Sequence, residues 1–204
     1  DVKGESSVGG LIGVAVGDSI NVVGTTGNIK GTTYVGGLIG DASTRLENGF
    51  SINVIKGYER VGGVVGFVDS YSPSIYRVYS ASMIKASDGR GFAGFSLSSS
   101  LDSNTCFFDS TLADYDRNGK TTAEMLKQGT FQGYDFVNVW TIQEGVSYPY
   151  FKGMEPLLPG TLKDDGTVNV LAGAGTATNP YKIYNYGELK YIGKYEYGLD
   201  MYYI

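Results

Sequence analysis

The sequence predicts an all-β protein that folds as a parallel β-helix, a solenoid of about four coils, with a short helix and an aromatic closing segment. Three observations carry this prediction. A glycine-rich apolar phrase recurs at nearly even spacing, a second motif recurs with the same period, and helical periodicity is absent from residues 1–110. The 204 residues, of which 42% are hydrophobic and 18% charged, are enough to form one substantial core.

The repeated phrase and the second motif define one register. The phrase reads VGGLIG at 8–13 and 35–40, VGGVVG at 61–66, and RGFAGF, a degraded copy, at 90–95. The second motif reads NIKG at 28–31, VIKG at 54–57 and MIKA at 83–86. Two sequence columns that share a period of roughly 27 residues indicate a tandem repeat.

Each repeat contains two short apolar stretches rich in β-branched residues, separated by Gly, Asn, Asp and Ser. Such a unit suits one coil of a parallel β-helix, in which each strand pairs with its counterpart one coil on. We expect the glycines to supply positive φ at corners and to let neighbouring backbones approach closely. Ile29, Ile55 and Ile84 should stack inside at a strand spacing of about 4.8 Å. A β-sandwich of regular hairpins is the competing fold.

The same register places Lys30, Lys56 and Lys85 in one column. Three like charges stacked at strand spacing repel one another unless they extend into solvent. The column is interpreted either as a solvated edge of the coils or as a cationic strip for an anionic glycan or surface polymer.

The repeat pattern ends near residue 110. The sequence TTAEM predicts a capping box, with Thr121 as N-cap and Glu124 three residues later, and therefore a short helix over about 121–128. The aromatic stretch that follows contains Trp140, the only tryptophan, and is predicted to fold over and close the last coil. The predicted segments are coils at 1–110, a closing segment at 111–156, a connection at 157–172 and a tyrosine-rich tail at 173–204.

These segments, in this order, resemble a known family. The VGGLIG units are similar to the GLUG repeats of large bacterial surface proteins, including adhesins and the non-catalytic part of some IgA-cleaving proteases. The stretch at 121–151 resembles the segment that commonly follows such repeats, and 173–193 resembles the lead-in of a further unit. The resemblance implies a right-handed parallel β-helix on a bacterial surface and no reaction. The His-Glu-x-x-His motif of the proteases is absent, since the chain has no histidine.

Composition excludes several classes of function. A net charge of −5 without a basic stripe argues against nucleic-acid binding. The longest uncharged apolar run, 6–17, is too short and too rich in glycine to span a bilayer. No secretion signal opens the chain, and we expect any such segment to have been removed or to lie upstream. The lack of histidine excludes Ser-His-Asp and Cys-His nucleophiles. The lone Cys106 is interpreted as a buried inert thiol rather than a reactive one.

One stretch invites a calcium interpretation. Asp114, Asp116 and Asn118 alternate before Gly119, as oxygen ligands do at the start of an EF-hand loop. However, the twelfth position of that loop would be Met125, and the nearby carboxylate belongs to the capping box. A polar turn before the helix is the alternative. No other cofactor is expected.

The enzymatic alternative is a β-helix that acts on polysaccharides. Cleavage of a polysaccharide needs paired carboxylates, or calcium with a basic residue, in one groove. Asp102 and Asp109 are the only cluster that the sequence nominates, and both lie where turns are expected. Fold analogy is no evidence for such an activity.

The tail is rich in tyrosine, a residue that suits either the core of a small cap or an interface or sugar platform. The candidate interface residues are Tyr184, Tyr186, Tyr191, Tyr195, Tyr197, Tyr202 and Tyr203. One hypothesis is that the tail of one chain covers the uncapped first coil of the next, which would give filaments. The alternative is that the chain is a piece of a longer protein and that its partners are neighbouring repeats.

The sequence therefore predicts a non-catalytic, extracellular module of a bacterial cell surface with an adhesive or structural role. Its expected partners are other copies of itself or neighbouring repeats, and a host or matrix glycan or protein is the alternative. A polysaccharide-acting enzyme is the third alternative, and no nucleic acid or membrane span is expected.

Overall fold

The computed structural model is a parallel β-solenoid of about four turns with almost no helix, which confirms the predicted fold class. The structure describes residues 1–68, 74–96, 102, 104–113, 118–159, 176–178, 180 and 204. The first two coils contain β1 (Val2–Lys3), β2 (Ser6–Gly9), β3 (Ile12–Lys30), β4 (Thr33–Gly36) and β5 (Ile39–Lys56). The later coils contain β6 (Glu59–Gly62), β7 (Val65–Val68), β8 (Ile75–Ser80), β9 (Met83–Lys85), β10 (Gly89–Arg90), β11 (Ala93–Ser96) and β12 (Cys106–Asp109).

The strands of the coils form two parallel sheets. The larger sheet has the order β1-β3-β5-β8-β12, with β7 and β9 also pairing with β5 and β11 pairing with β7. The smaller sheet has the order β10-β6-β4-β2. A strand β13 (Gly119–Lys120) adds to β12, also in parallel. Because every pairing between coils is parallel, the hairpin sandwich considered from the sequence is wrong.

The register matches the sequence columns. Val35 pairs with Val8 on one side and with Val61 on the other. In the same way, Ile55 pairs with Ile29 and Ile84, so the predicted isoleucine column is confirmed. Ile29 and Ile55 are buried, and Ile84, at the end of the column, is partly buried.

The repeated glycines have one of the two roles predicted for them. A Cβ on Gly36 would lie 1.9 Å from the carbonyl oxygen of Ile39, and one on Gly66 would lie 2.3 Å from the carbonyl carbon of Tyr34. At the repeated glycine phrase, the backbone therefore lies so close to neighbouring backbone segments that no side chain fits between them. None of the phrase glycines has positive φ.

The positive-φ corners are occupied by other residues, so that part of the prediction is wrong. One column of corners contains Ser7, Tyr34 and Arg60, with φ values of 52°, 54° and 56°. A second column contains Val22, Asn48 and Arg77, with φ values of 55°, 49° and 51°. Each left-handed residue costs roughly 1–2 kcal/mol, and the packing of successive coils holds all of them in place.

The interior is not uniformly apolar. One buried apolar cluster includes Leu38, Leu46 and Val78, and a second lies around the isoleucine column. Between them the β5 side chains of Ser51 and Asn53 point inward, and both are fully buried. They belong to a hydrogen-bonded polar network of Thr25, Ser51, Asn53, Ser80 and Ser82. This network satisfies the side chains that burial would otherwise penalise.

The predicted capping box is present and the helix is shorter than predicted. Helix α1 is Thr122–Met125, with the Thr121 hydroxyl accepting a hydrogen bond from the backbone N–H of Glu124 and the Glu124 carboxylate accepting one from that of Thr121. The helix ends early because Lys127 is extended. The 3₁₀ helix Gln128–Thr130 then leads Phe131 into the core.

The closing segment is completed by an antiparallel pair, β14 (Trp140–Thr141) and β15 (Tyr150–Phe151). Its aromatic residues pack on the side of the solenoid, against Phe50 in β5, Tyr79 in β8 and Phe107 in β12. The segment therefore covers three successive coils laterally, whereas the sequence predicted a cover for the last coil alone.

Candidate binding surfaces and the covered face

The predicted lysine column exists and is longer than predicted. Lys56 pairs in register with Lys30 and with Lys85, and Lys30 pairs in turn with Lys3. The sequence pattern did not indicate Lys3, because its motif is shortened to VKG at 2–4, with Val2 in place of the isoleucine of the later coils. Since the isoleucines point inward, the lysines alternate with them and point outward.

Three lysines of the column lack charge compensation from the part of the chain that the structure describes. Lys3 and Lys30 are exposed, Lys56 is half-buried, and none of the three makes an ion pair or side-chain hydrogen bond with a described residue. Two carboxylates of this region have other partners. Glu59 pairs with the guanidinium of Arg60 at 3.3 Å, and the carboxylate of Asp1 accepts a hydrogen bond from the Asn28 amide at 3.0 Å.

An aromatic column lies on the same outer face of the large sheet. Phe50, Tyr79 and Phe107 pair in register. Phe50 and Lys56 are an even number of positions apart in β5, so their side chains point to the same face of the sheet. In contrast to the lysines, these rings are covered. Trp140 lies 6.1 Å from the Tyr79 ring, centroid to centroid, and is itself fully buried.

Hydrogen bonds fix the closing segment to several coils. The Trp140 indole N–H donates to the Asn48 side-chain oxygen at 3.2 Å, and the Tyr79 hydroxyl donates to the Pro149 carbonyl at 2.5 Å. Burial raises the pKa of the Tyr79 hydroxyl well above its ordinary value. The polar tips of both buried aromatics are thus satisfied, as buried Tyr and Trp generally require.

Asp109, one of the two nominated catalytic carboxylates, is a buried anchor. It accepts hydrogen bonds from the Thr111 backbone N–H at 2.9 Å, the Thr122 hydroxyl at 2.7 Å and the Tyr148 hydroxyl at 2.7 Å. The Thr111 hydroxyl also donates to it. Burial, followed by the adjacent Asp109 charge, raises the pKa of Tyr148. These contacts connect the last coil to helix α1 and to the closing segment.

Asp102, the other nominated carboxylate, holds a turn. It accepts hydrogen bonds from the Asn104 backbone N–H at 3.0 Å and the Thr105 hydroxyl at 2.8 Å. Both nominated carboxylates therefore have local structural partners that account for their positions.

Cys106 is buried, and its thiol donates to the Ile75 carbonyl oxygen at 3.2 Å. Burial raises the pKa of the thiol to about 12. The predicted burial of Cys106 is confirmed, and the raised pKa is consistent with an unreactive thiol, because the thiolate form is disfavoured at neutral pH.

The calcium interpretation stays a prediction. Asp114 and Asp116 lie outside the described residues, and Asn118 is half-buried within them. Hydrogen bonds from Thr121 lower the pKa of Glu124, which is engaged in the capping box. In the described part of the chain, no group of three or more His, Cys, Asp or Glu side chains could hold a metal ion.

The tyrosine-rich tail also stays a prediction. The seven candidate interface tyrosines between residues 184 and 203 all lie outside the described residues.

The first coil has an open edge. Strand β3 pairs with β5 along its length, but on its other side it pairs, within the described residues, only at Ile29 and Lys30, with β1. Three valines of this strand, Val14, Val16 and Val22, are exposed, and Val16 has 79% of its surface accessible. Among the residues that the structure describes, nothing pairs with most of this edge, which carries exposed apolar side chains.

A half-buried strip of rings and one guanidinium was not predicted. Arg60 lies 5.1 Å from the Tyr34 ring centroid and 5.0 Å from that of Phe95, and it donates to the Tyr34 hydroxyl at 2.7 Å. Phe67 and Phe95 stack in parallel at 5.8 Å. The left-handed corners at Tyr34 and Arg60 place these two side chains in one column.

Comparisons with protein-family models, with curated proteins and with solved structures find no match. Among the helices that the structure describes, none is long and apolar enough to cross a membrane.

Proposed function

We propose that the protein is a non-catalytic adhesive or structural module of a bacterial cell surface that associates end to end through its first coil. The observation that carries this proposal is the open edge of β3, from Ile12 to Asn28. A long strand edge with unpaired N–H and C=O groups is a template for another strand unless something covers it. The parallel repeat and the resemblance to GLUG-repeat surface proteins support the module's extracellular role.

The occupant that we propose for this edge is a second copy of the chain. A strand of the second copy would pair with the free side of β3 in parallel, as β5 does on the other side. The exposed valines of β3 would then gain apolar contacts. The tail at 173–204 is the segment proposed to make this contact, by strand addition. Because the two surfaces differ, the contact is heterologous and does not close on itself, so open-ended assemblies follow.

The structural partners of Asp102 and Asp109 support a non-catalytic role. The buried Asp109 already accepts four hydrogen bonds, and a catalytic acid or base must reach a substrate proton. An enzyme is therefore not the proposed function.

Light scattering coupled to size exclusion, over a concentration series of the full chain, tests the proposal. The variant Val16→Lys places a charge on the open edge, and Val137→Lys is its matched control, because Val137 is 78% exposed and lies in the closing segment. We expect mass to rise with concentration for the wild type and the control, and not for Val16→Lys. A wild type that stays monomeric at every concentration, or two variants with equal effects, would contradict the proposal.

A second candidate function is binding of a glycan along the coils, and the strip of Tyr34, Arg60, Phe67 and Phe95 favours it. Half-exposed rings beside hydrogen-bond donors can hold a sugar. Titration with oligosaccharides tests this candidate, with Phe95→Ala expected to abolish binding and Tyr76→Ala to leave it unchanged.

A further inference from the structure

We propose that the four-lysine column formed by Lys3, Lys30, Lys56 and Lys85 is a binding site for a linear anionic polysaccharide that carries carboxylate groups along its length. The column presents one ammonium group per coil on the outer face of the large sheet. With a strand spacing of about 4.8 Å, its four rungs span roughly 14 Å along the solenoid axis. A ligand that matches the column must therefore be extended and must carry repeated negative charge.

The column costs stability in the free protein. Like charges that are directly opposite each other on neighbouring strands repel. Lys3, Lys30 and Lys56 make no ion pair with a described residue that would offset this repulsion. The chain as a whole is acidic, with a net charge of −5, so four aligned cations are a local departure from its surface character. An anionic ligand would convert the repulsion into attraction at every rung.

The carboxylates near the column do not replace such a ligand. Glu59 pairs with Arg60, the Asp88 carboxylate accepts a hydrogen bond from the Arg60 backbone N–H, and Asp1 accepts one from Asn28. Glu5 is exposed at the corner after Lys3. The ammonium groups of Lys3, Lys30 and Lys56 thus have no carboxylate partner among the described residues.

The geometry favours a carboxylated polysaccharide over a nucleic acid. The column is one residue wide, and the overall negative charge of the protein opposes the dense phosphates of a duplex. Binding to single strands generally uses aromatic side chains on which bases stack. The rings on this face of the sheet, in the Phe50 column, are instead covered by the closing segment.

The site is independent of the proposed end-to-end association. The lysine side chains extend from the face of the sheet, whereas association uses the strand edge of the first coil. Failure of one proposal therefore leaves the other unaffected, and the two are measured on different variants.

The test is titration of the full chain with polygalacturonate, a linear carboxylated polysaccharide. Calorimetry measures the binding at two salt concentrations. Neutral dextran and single-stranded DNA serve as comparison ligands. The variant Lys30→Gln/Lys56→Gln removes two rungs, and Lys120→Gln/Lys127→Gln removes the same charge elsewhere. Lys30→Arg/Lys56→Arg keeps the column charged, and the thermal transition of each variant checks that it is folded.

We expect polygalacturonate to bind the wild type and to weaken with added salt, as exposed ion pairs do. Lys30→Gln/Lys56→Gln should weaken polygalacturonate binding roughly tenfold, whereas the control Lys120→Gln/Lys127→Gln should weaken it less than about twofold. The arginine variant should bind like the wild type, and dextran should not bind. Equal losses in the two glutamine variants, equally strong binding of the DNA, or no binding of polygalacturonate would each overturn the proposal.

Discussion

Two columns of side chains on one face of the large sheet differ in their surroundings. Phe50, Tyr79 and Phe107 pair in register and are covered by the closing segment. In the lysine column on the same face, Lys3 and Lys30 are exposed and Lys56 is half-buried, and no described segment packs over them. Because the pairing is parallel and in register, each residue lies beside its counterpart in the next coil. A side chain that recurs in every repeat therefore forms a continuous column. An aromatic column thus becomes a site for intramolecular packing, and a lysine column becomes a concentration of charge.

The largest expected effect comes from removing the cover over the aromatic column. Trp140→Ala should lower the free energy of unfolding by about 3–5 kcal/mol, since the indole is fully buried and its loss leaves a cavity. Chemical denaturation measures this change. The control, Val137→Ala, alters an exposed residue of the same segment and should have an effect within about 0.5 kcal/mol. Equal effects would mean that the cover contributes nothing specific.

The next effect concerns the core beneath the aromatic column. Cys106 precedes Phe107 in β12, and its raised pKa keeps the thiol protonated. At pH 8.5 we expect iodoacetamide to label the folded chain at least roughly a hundredfold more slowly than the unfolded chain. The same shift predicts that the thiol's contribution to stability is intact below pH 9 and declines as the pH rises towards 12. Fast labelling of the folded chain would contradict the burial.

A smaller effect is expected at the anchor between the last coil and the closing segment. Asp109→Asn keeps the size of the side chain but removes its charge and replaces one acceptor oxygen with a donor group. Unfolding free energy should fall by about 1–3 kcal/mol, because the hydroxyls of Thr122 and Tyr148 lose a charged acceptor. Asp18→Asn, at an exposed position, is the control and should be near neutral. A stable Asp109→Asn chain would show that the closing segment does not depend on this carboxylate.

The smallest effect tests the lysine column in the free protein. Lys30→Gln/Lys56→Gln should raise the free energy of unfolding by about 0.2–1 kcal/mol at low salt, because it relieves repulsion between stacked charges. The gain should shrink at high salt, where exposed charges are screened. Thermal unfolding at two ionic strengths measures both. A loss of stability at low salt would indicate that the lysines are compensated.

The sequence predicts the fold because the same residues recur at the same rungs. The valine, isoleucine and lysine columns follow directly from the period, and the capping box follows from Thr121 and Glu124. The closing segment's aromatic character was also readable, although its position across three coils was not.

The orientation of part of β5 could not be read from its pattern. In the stretch FSINVI at 50–55, alternation alone would place Phe50 and Ile52 inside and Ser51 and Asn53 outside. The structure shows the reverse, because the closing segment buries the outward rings and the inner hydrogen-bond network satisfies the polar residues. The inward position predicted for Ile55 implies this orientation, whereas the apolar residues at 50, 52 and 54 indicate the opposite one. The closing segment, which is distant in sequence, resolves the conflict. The left-handed corners at Tyr34 and Arg60 are also hidden, since neither residue type favours them.

The measurement that tests end-to-end association most directly is hydrogen–deuterium exchange of the full chain across a concentration series. We expect protection of the β3 amides between Ile12 and Asn28 to rise with concentration, and protection of the amides around Trp140 to stay unchanged. In Val16→Lys the β3 amides should exchange at the same rate at every concentration. Protection of β3 that does not depend on concentration in the wild type would contradict the claim that the first coil's edge binds another copy.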